Sequence, residues 1–237
     1  MIIDHVCWAS RNAHVAAARL RAKFGLESYD GGWFPFLGIM MKVVPIPNSV
    51  QYIELESVID VESAMMSDFG QWFHSVSRES ALIGWTMQCT RDELEGLAER
   101  LKYPIKYVEG FREMPDGSTL AVYSVGPPTD TWQKGGLPNF VAFDPQRPHP
   151  SERTTPVAMA NPLTEIAWVE YCDPFDKLKE WLGDSLAELP IKFVEGNEQK
   201  LLAAAFSRAD GTTIEIRSEP AGPEERQWRE APMERLV

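Results

Sequence analysis

The sequence is poor in features that mark several large classes of protein. It contains only three cysteines, Cys7, Cys89 and Cys172, which are widely spaced and include no Cys-x-x-Cys pair. An odd, scattered set predicts neither a disulfide framework nor a cysteine zinc site, so buried reduced thiols are the simplest interpretation. The sequence also has no apolar run near the roughly 20 residues needed to span a bilayer. A membrane is therefore not expected as a partner.

Positive charge is scarce as well. Lys and Arg number 23 against 35 Asp and Glu, which gives a net charge of −12 and a pI near 4.8. Such a balance opposes the attraction to phosphate that dominates nucleic-acid binding, so nucleic acid is not an expected partner. The first residues, Met1 to Asp4, lack the charged start and apolar middle of a signal peptide, and this predicts a cytoplasmic protein.

The sequence does contain a repeated order of strand and helix patterns. In the first copy, a strand pattern from Ile2 to Trp8 precedes a helix pattern that Asn12 caps and Gly25 ends, and three more strand patterns follow. The order βαβββ recurs twice, which predicts an α+β fold built from repeated modules. The predicted divisions are module 1 at 1–57, a connector at 58–80, module 2 at 81–151, module 3 at 162–218 and a charged tail at 219–237.

Modules 1 and 3 carry imidazole or carboxylate side chains in their first and last strands. The separation is 49 residues from His5 to Glu54 and 50 residues from Glu165 to Glu215. Because side chains alternate along a strand, His5 is expected to share a face with Ile3 and Cys7. Each of the three glutamates points away from the apolar residues that flank it. The repeat therefore selects four residues from many charged ones.

Several short phrases in the sequence occur together in one known group of proteins. They are Asp4-His5-Val6, Gln51-Tyr52-Ile53-Glu54-Leu55, Gly84-Trp85, Arg112-Glu113-Met114-Pro115-Asp116-Gly117, Leu137-Pro138-Asn139-Phe140 and His149-Pro150-Ser151. With the βαβββ repeat, they resemble the vicinal oxygen chelate superfamily, which has a glyoxalase/bleomycin resistance/dioxygenase-like fold. Within that superfamily, the phrases most resemble the glyoxalase-like domain branch, and the resemblance covers about residues 2–218.

The resemblance implies curled mixed sheets around a cavity, with metal ligands that project from the first and last strands of paired modules. It implies a metal site at His5, Glu54, Glu165 and Glu215 for one divalent cation (Mn, Fe, Ni or Zn) and no organic cofactor. Such an ion polarises a carbonyl group, and one carboxylate can then move a proton. We therefore expect a metal-dependent lyase, isomerase or ring-opening dioxygenase that acts on a small oxygenated organic molecule.

Two departures from the superfamily pattern leave open whether the chain has a metal site. Three carboxylates give one dication an excess of negative charge, and module 2 offers Trp85 or Thr86 and about Ala142, which do not ligate metal. If modules 1 and 2 pair, His5 and Glu54 face an apolar wall and a tight metal site is not expected. If modules 1 and 3 pair, within the chain or across a dimer, the four-residue site is complete. The odd number of modules favours a homodimer, since a lone third sheet exposes an apolar face.

Glu54, Arg112 and His149 are the candidate catalytic residues. Arg112 precedes a turn, where it either binds a substrate carboxylate or is solvated. His149 lies between two prolines and serves either catalysis or as a structural clasp. For His5 and Glu54, a hydrogen-bonded pair that lines a pocket is the alternative to a metal site. The alternative function is a non-catalytic binding or sequestering protein, similar to bleomycin-resistance proteins, and a scaffold domain is a third possibility.

Overall fold

Three consecutive segments of the chain each contain a strand, a helix and three further strands. The structure is a computed structural model that describes residues 1–146, 149–152 and 157–218, so the predicted tail at 219–237 lies outside it. The first segment contains β1 (Ile2–Ala9), α1 (Ala13–Phe24), β2 (Tyr29–Phe34), β3 (Ile39–Pro45) and β4 (Tyr52–Val58). Two short helices follow, α2 (Val61–Met65) and α3 (Asp68–Val76). The second contains β5 (Ala81–Gln88), α4 (Arg91–Leu101), β6 (Lys106–Glu113), β7 (Thr119–Val125) and β8 (Asn139–Phe143). The third contains β9 (Leu163–Cys172), α5 (Lys177–Leu182), β10 (Ile191–Val194), β11 (Lys200–Arg208) and β12 (Thr213–Arg217).

The first eight strands close into one barrel in the order β1-β4-β3-β2-β6-β7-β8-β5. Within each of the first two segments, the first strand lies parallel to the fourth, β1 beside β4 and β5 beside β8. The two halves join where β1 pairs with β5 and where β2 pairs with β6. The predicted fold class, α+β with curled sheets around an interior, is therefore confirmed. Of the two possible pairings, the structure has the one between modules 1 and 2.

The third segment has the same element order but a different strand pairing. Its sheet has the order β10-β9-β11-β12, so β11 separates the first strand from the last. Glu165 of β9 lies opposite Ser207, whereas Glu215 of β12 lies opposite Ala205 on the other side of β11. In the first segment β1 and β4 are direct neighbours. The similar spacings of 49 and 50 residues therefore do not mark equivalent positions.

The third sheet packs its apolar face on the outside of the barrel. Ile166 and Ile216 are buried in one hydrophobic core with the barrel residues Val6 and Trp85. Gln51 joins the two layers, since its amide donates to the Ile3 carbonyl and its carbonyl accepts from the Ile166 backbone. The apolar face that favoured a homodimer is thus covered within the chain.

Glu165 and Glu215 lie on the opposite, exposed face of this sheet. Glu165 accepts a hydrogen bond from Ser207, and Glu215 accepts one from Arg217. Alternation along the strands was predicted correctly, but the isoleucine face is the one that meets the barrel. The four residues proposed as a metal site therefore do not come together within the chain.

The first helix begins and ends as the local sequence predicts. The Asn12 side chain accepts from the first free backbone N–H groups of α1, and Gly25 ends that helix with a left-handed φ of 69°. The connector forms α2 and α3, and Phe73 of α3 is fully buried against Ile39 and its neighbours. The apolar side chains of α3 therefore pack this helix against the barrel. Among the described residues, no helix is both long and apolar enough to cross a membrane.

Candidate functional site

A cluster of polar side chains is buried within the barrel. Ile53 and Leu55 of β4 belong to the core outside the barrel wall, so Tyr52, Glu54 and Glu56 point to its interior. The polar members of the cluster are each at most 8% exposed: Asp4, His5, Cys7, Glu54, Glu56, Arg112 and His149. Interiors of small barrels are usually filled by apolar side chains. This concentration of ionisable groups therefore marks a candidate site.

A β-bulge in β1 brings two adjacent residues into the cluster. Pairing with β5 passes from Ile3–Met87 to His5–Thr86, which leaves Asp4 as the extra residue. The bulge interrupts simple alternation. Ile3 accordingly joins the same core as Val6, instead of sharing the face of His5 and Cys7 as predicted.

The Asp4 carboxylate lies between two histidines. Its Oδ1 is 2.5 Å from His5 Nδ1, and its Oδ2 is 3.0 Å from His149 Nε2. The Ser151 backbone N–H donates to His149 Nδ1 at 3.1 Å, so the His149 proton lies on Nε2 and is donated to Asp4. Burial acts to raise the pKa of Asp4, but the hydrogen bonds from His149 and His5 outweigh burial and the pKa is lowered. Asp4 is thus ionised at neutral pH.

His5 is fixed with its second nitrogen directed at Glu54. A proton on Nδ1, donated to Asp4, leaves the Nε2 lone pair free in the neutral ring. That Nε2 is 3.6 Å from Glu54 Oε2, beyond a direct hydrogen bond. The Tyr52 ring stacks on the imidazole with 4.5 Å between ring centroids and holds its plane.

Glu54 forms a buried ion pair with Arg112. Arg112 Nη1 donates to Glu54 Oε1 at 2.7 Å, and its Nε donates to the Gly31 carbonyl at 2.8 Å. Gly31 leaves room for the guanidinium, because a Cβ there would lie 2.9 Å from Nη2. Burial acts to lower the pKa of Arg112, but the negative charge of Glu54 and further neighbours raise it overall. Nη2 has no hydrogen-bond partner among the described residues. Arg112 is therefore a buried partner of Glu54, and the alternative of a solvated hairpin residue is wrong.

Cys7 and Glu56 complete the surroundings of Glu54. The Cys7 thiol donates to Glu54 Oε2 at 3.4 Å. Burial raises the pKa of this thiol well above its usual value, and the charge of Glu54 adds to the effect. Burial, followed by the charge of Glu54, likewise raises the pKa of Glu56 well above its usual value. Burial thus favours the protonated form of both groups.

The structure brings together only part of the predicted site. His5, Glu54, Arg112 and His149 belong to the cluster, while Glu165 and Glu215 lie on the exposed face of the third sheet. Sequence reasoning missed Asp4, Cys7 and Glu56. The i, i+2 spacing of Cys7 from His5 and of Glu56 from Glu54 was the available signal. Asp4 occurs in the quoted phrase Asp4-His5-Val6, but strand alternation alone does not place it beside His5, because its position depends on the bulge.

Comparison with known proteins identifies the family. The profile of the family described as "Glyoxalase-like domain" matches residues 3–186, well over half of the chain. The chain belongs to the glyoxalase-like domain family. This confirms the resemblance to the vicinal oxygen chelate superfamily. No curated protein sequence matches the chain significantly.

Solved structures similar to this glyoxalase-like chain share little sequence with it. A hypothetical protein from Staphylococcus aureus is 13% identical, with 93% of this chain and 86% of that chain covered and a TM-score of 0.53. Methylmalonyl-CoA epimerase from Mycobacterium tuberculosis is 16% identical, with 61% and 89% covered and a TM-score of 0.43. A variant of the Streptomyces coelicolor epimerase, in complex with 2-nitronate-propionyl-CoA, is 18% identical, with 61% and 96% covered and a TM-score of 0.43. At these identities the likeness concerns the fold alone.

Proteins of this superfamily typically bind a divalent metal, and three side chains of the glyoxalase-like barrel fit one. One ligand atom each of His5, Cys7 and Glu54 lies within 4.8 Å of the others. Glu54 Oε2 is 3.6 Å from His5 Nε2 and 3.4 Å from Cys7 Sγ. Usual zinc bond lengths give tetrahedral edges of about 3.3–3.5 Å, so the three donors can bind one ion with modest adjustment. Three ligands would leave a fourth position open, as in catalytic zinc sites.

The module 2 strand next to His5 carries a polar pair, which differs from the apolar wall expected for paired modules 1 and 2. Thr86, which lies opposite His5, donates to Asn139 Oδ1 at 2.7 Å. The expected apolar wall, and the argument it gave against a metal site, therefore do not apply.

Proposed function

We propose that this glyoxalase-like protein is an enzyme that transfers a proton at a carbon next to a carbonyl group in a small oxygenated molecule. Isomerisation and elimination by a lyase both begin with such a step. The observation that carries the proposal is the buried Glu54 carboxylate, held at 2.7 Å by Arg112 and directed by its second oxygen at His5 and Cys7. Such burial of charge costs stability unless it is paired, and it is typical of functional sites.

Each residue has a distinct role in the proposed reaction. Glu54 is the general base, and its Oε2, the oxygen not bound to Arg112, would leave the ion to accept the carbon-bound proton. Arg112 positions Glu54, and Asp4, braced by His149, positions His5. The catalytic roles that the sequence suggested for Arg112 and His149 thus become positioning roles in this proposal.

His5 and Glu54 would hold a divalent metal such as Zn, Fe, Ni or Mn. That ion would supply a Lewis acid to polarise the substrate carbonyl and so acidify the neighbouring C–H bond. The protein residues around it would exclude bulk water, because all of them are buried.

The test is exchange of carbon-bound hydrogen with solvent. The protein is incubated in D₂O with a panel of small aldehydes, ketones and 2-oxo acids, and NMR monitors deuterium incorporation next to the carbonyl. We expect exchange with at least one compound class and a loss of at least about 100-fold in Glu54→Gln, within the range for removal of a general base. The matched control is Glu165→Gln, at an exposed position on the third sheet, which should retain full activity.

Exchange that persists in Glu54→Gln would contradict the assigned base. Compounds that raise the thermal stability of the protein without any exchange would support the alternative of a non-catalytic binding protein.

A further inference from the structure

We propose that Cys7 is a metal ligand, and that β1 and β4 of a single βαβββ module supply all three protein ligands of a catalytic-type zinc site. The inference deepens the proposed function and rests on its metal-assisted form. It replaces the predicted four-residue set with His5, Cys7 and Glu54, and it assigns a function to a cysteine for which the sequence suggested only packing.

The strand pairing places the three ligands next to one another. β1 and β4 are parallel neighbours, and Cys7 lies directly opposite Glu54 in their register. His5 is two residues before Cys7 on the same strand, so both side chains point to the same side. A parallel pair of rigid strands thus supplies all three ligands, and none of them comes from the second half of the barrel.

Two of the ligands, His5 and Glu54, have their second polar atom bound elsewhere, which directs the free atom towards Cys7. His5 Nδ1 is bound to Asp4, so Nε2 is available. Glu54 Oε1 is bound to Arg112, so Oε2 is available. Outer partners of this kind orient metal ligands, and their loss typically weakens metal affinity by 10–100-fold.

The charge and softness of the donors suit zinc. When the ion binds, the Cys7 S–H bond breaks, a sulfur–metal bond forms and the proton passes to solvent. The thiolate and the Glu54 carboxylate then carry two negative charges, which match one dication. A mixed thiolate, imidazole and carboxylate set favours zinc over magnesium, calcium or manganese. The four-residue set would instead have placed three carboxylates on one ion.

The other two cysteines provide matched controls. Cys89 and Cys172 are buried as Cys7 is. Cys89 Sγ lies near the Met87 carbonyl at 4.0 Å, and Cys172 packs against Gly196. Within the described ranges, neither belongs to a group of ligand atoms that could hold a metal.

The experiment measures the metal directly and needs no substrate. Protein purified without chelator should contain one zinc per chain by elemental analysis. After replacement by Co²⁺, the wild-type protein should show a near-ultraviolet thiolate-to-cobalt charge-transfer band, as should Cys89→Ser and Cys172→Ser. Cys7→Ser should lose the band and bind Zn²⁺ more than ~100-fold more weakly, beyond the effect of losing an outer partner.

A charge-transfer band that survives in Cys7→Ser, or a wild-type protein that binds no stoichiometric Zn²⁺ or Co²⁺, would overturn the inference. Should Cys7→Ser not fold, X-ray absorption spectroscopy of the wild-type zinc protein serves as the test. We expect one sulfur atom bound to the zinc, and a spectrum without any sulfur neighbour would exclude Cys7 as a ligand. The outcomes also separate the two proposals. A cobalt band without any deuterium exchange contradicts the proposed reaction alone, whereas exchange by a protein that binds neither Zn²⁺ nor Co²⁺ contradicts only the Cys7 site.

Discussion

At the scale of single residues, the site consists of ionisable groups that are buried but paired. His5, Glu54, Arg112 and His149 could be selected from sequence because their types and phrases resemble a family. Their mutual roles could not, because hydrogen-bond partners such as Asp4 and His149 are 145 residues apart in the chain. The Asp4 bulge has no local sequence marker. Residue types were thus predictable, while the network that gives them roles required the three-dimensional pairing.

The first prediction concerns the buried ion pair. Arg112→Ala leaves the Glu54 carboxylate buried without a cation, and we expect the free energy of unfolding to fall by about 3–5 kcal/mol. The measurement is urea denaturation monitored by circular dichroism. The control is Lys134→Ala, which removes an exposed pair with Asp130 and should cost at most about 0.5 kcal/mol. Equal, small effects of the two variants would show that Glu54 does not depend on Arg112.

The second prediction concerns the Asp4 bridge. Both histidines donate to Asp4, and an amide has only one acceptor oxygen, so Asp4→Asn leaves one imidazole N–H without its partner. We expect about 10–100-fold weaker Zn²⁺ binding, measured by competition with a chromophoric chelator. Asp30→Asn, in an exposed pair with Lys42, should not change the affinity. An unchanged affinity in Asp4→Asn would show that Asp4 does not orient His5.

At the scale of elements, local sequence signals predicted most helices and strands, while pairing between strands was not predictable. Asn12 and Gly25 delimit α1 because capping depends on the neighbouring backbone alone. The third segment repeats the βαβββ order, yet β11 lies between β9 and β12. Strand order is set by long-range contacts, so similar spacings suggested an equivalence between Glu215 and Glu54 that the sheet does not have.

The third prediction concerns the start of α4. Thr90 Oγ1 accepts from the Glu93 backbone at 3.2 Å, and Glu93 Oε2 accepts from the Thr90 backbone at 2.8 Å. We expect Thr90→Ala to lower the free energy of unfolding by about 1 kcal/mol, measured by urea denaturation. Ser185→Ala, at a position outside this capping box, serves as the control and should leave stability nearly unchanged.

The same capping box predicts a pH dependence. The hydrogen bond from the Thr90 backbone lowers the pKa of Glu93 below its ordinary value near 4.5. Because the folded-state pKa is the lower one, the stabilisation is complete above pH 4.5 and is lost as the pH falls through the folded-state pKa. Unfolding of Glu93→Gln should therefore depend less steeply on pH in that acidic range than unfolding of the wild-type protein. Identical slopes would contradict the role of the ionised Glu93.

At the scale of the whole molecule, the barrel and the third sheet share a single hydrophobic core. Phe206 and Ala204 of β11 belong to the same cluster as Val6, Ile53 and Trp85 of the barrel wall. The sequence indicates three modules but not which two pair, because each module offers an apolar face. The third sheet covers the outside of the barrel, and this explains how an odd number of modules can be accommodated in one chain.

The last prediction follows from this shared core. Phe206 is fully buried in the third sheet, so Phe206→Ala should lower the free energy of unfolding by about 3–5 kcal/mol. If the core is one cooperative unit, the loss must destabilise the barrel site as well. Unfolding of the Co²⁺ protein in urea should therefore show the same shifted midpoint by far-ultraviolet circular dichroism and by the thiolate-to-cobalt band.

The control is Phe193→Ala, at a half-exposed position on β10 of the same sheet, which should shift neither midpoint appreciably. A cobalt midpoint that stays at the wild-type value while the circular dichroism midpoint falls would mean that the barrel folds independently of the third sheet.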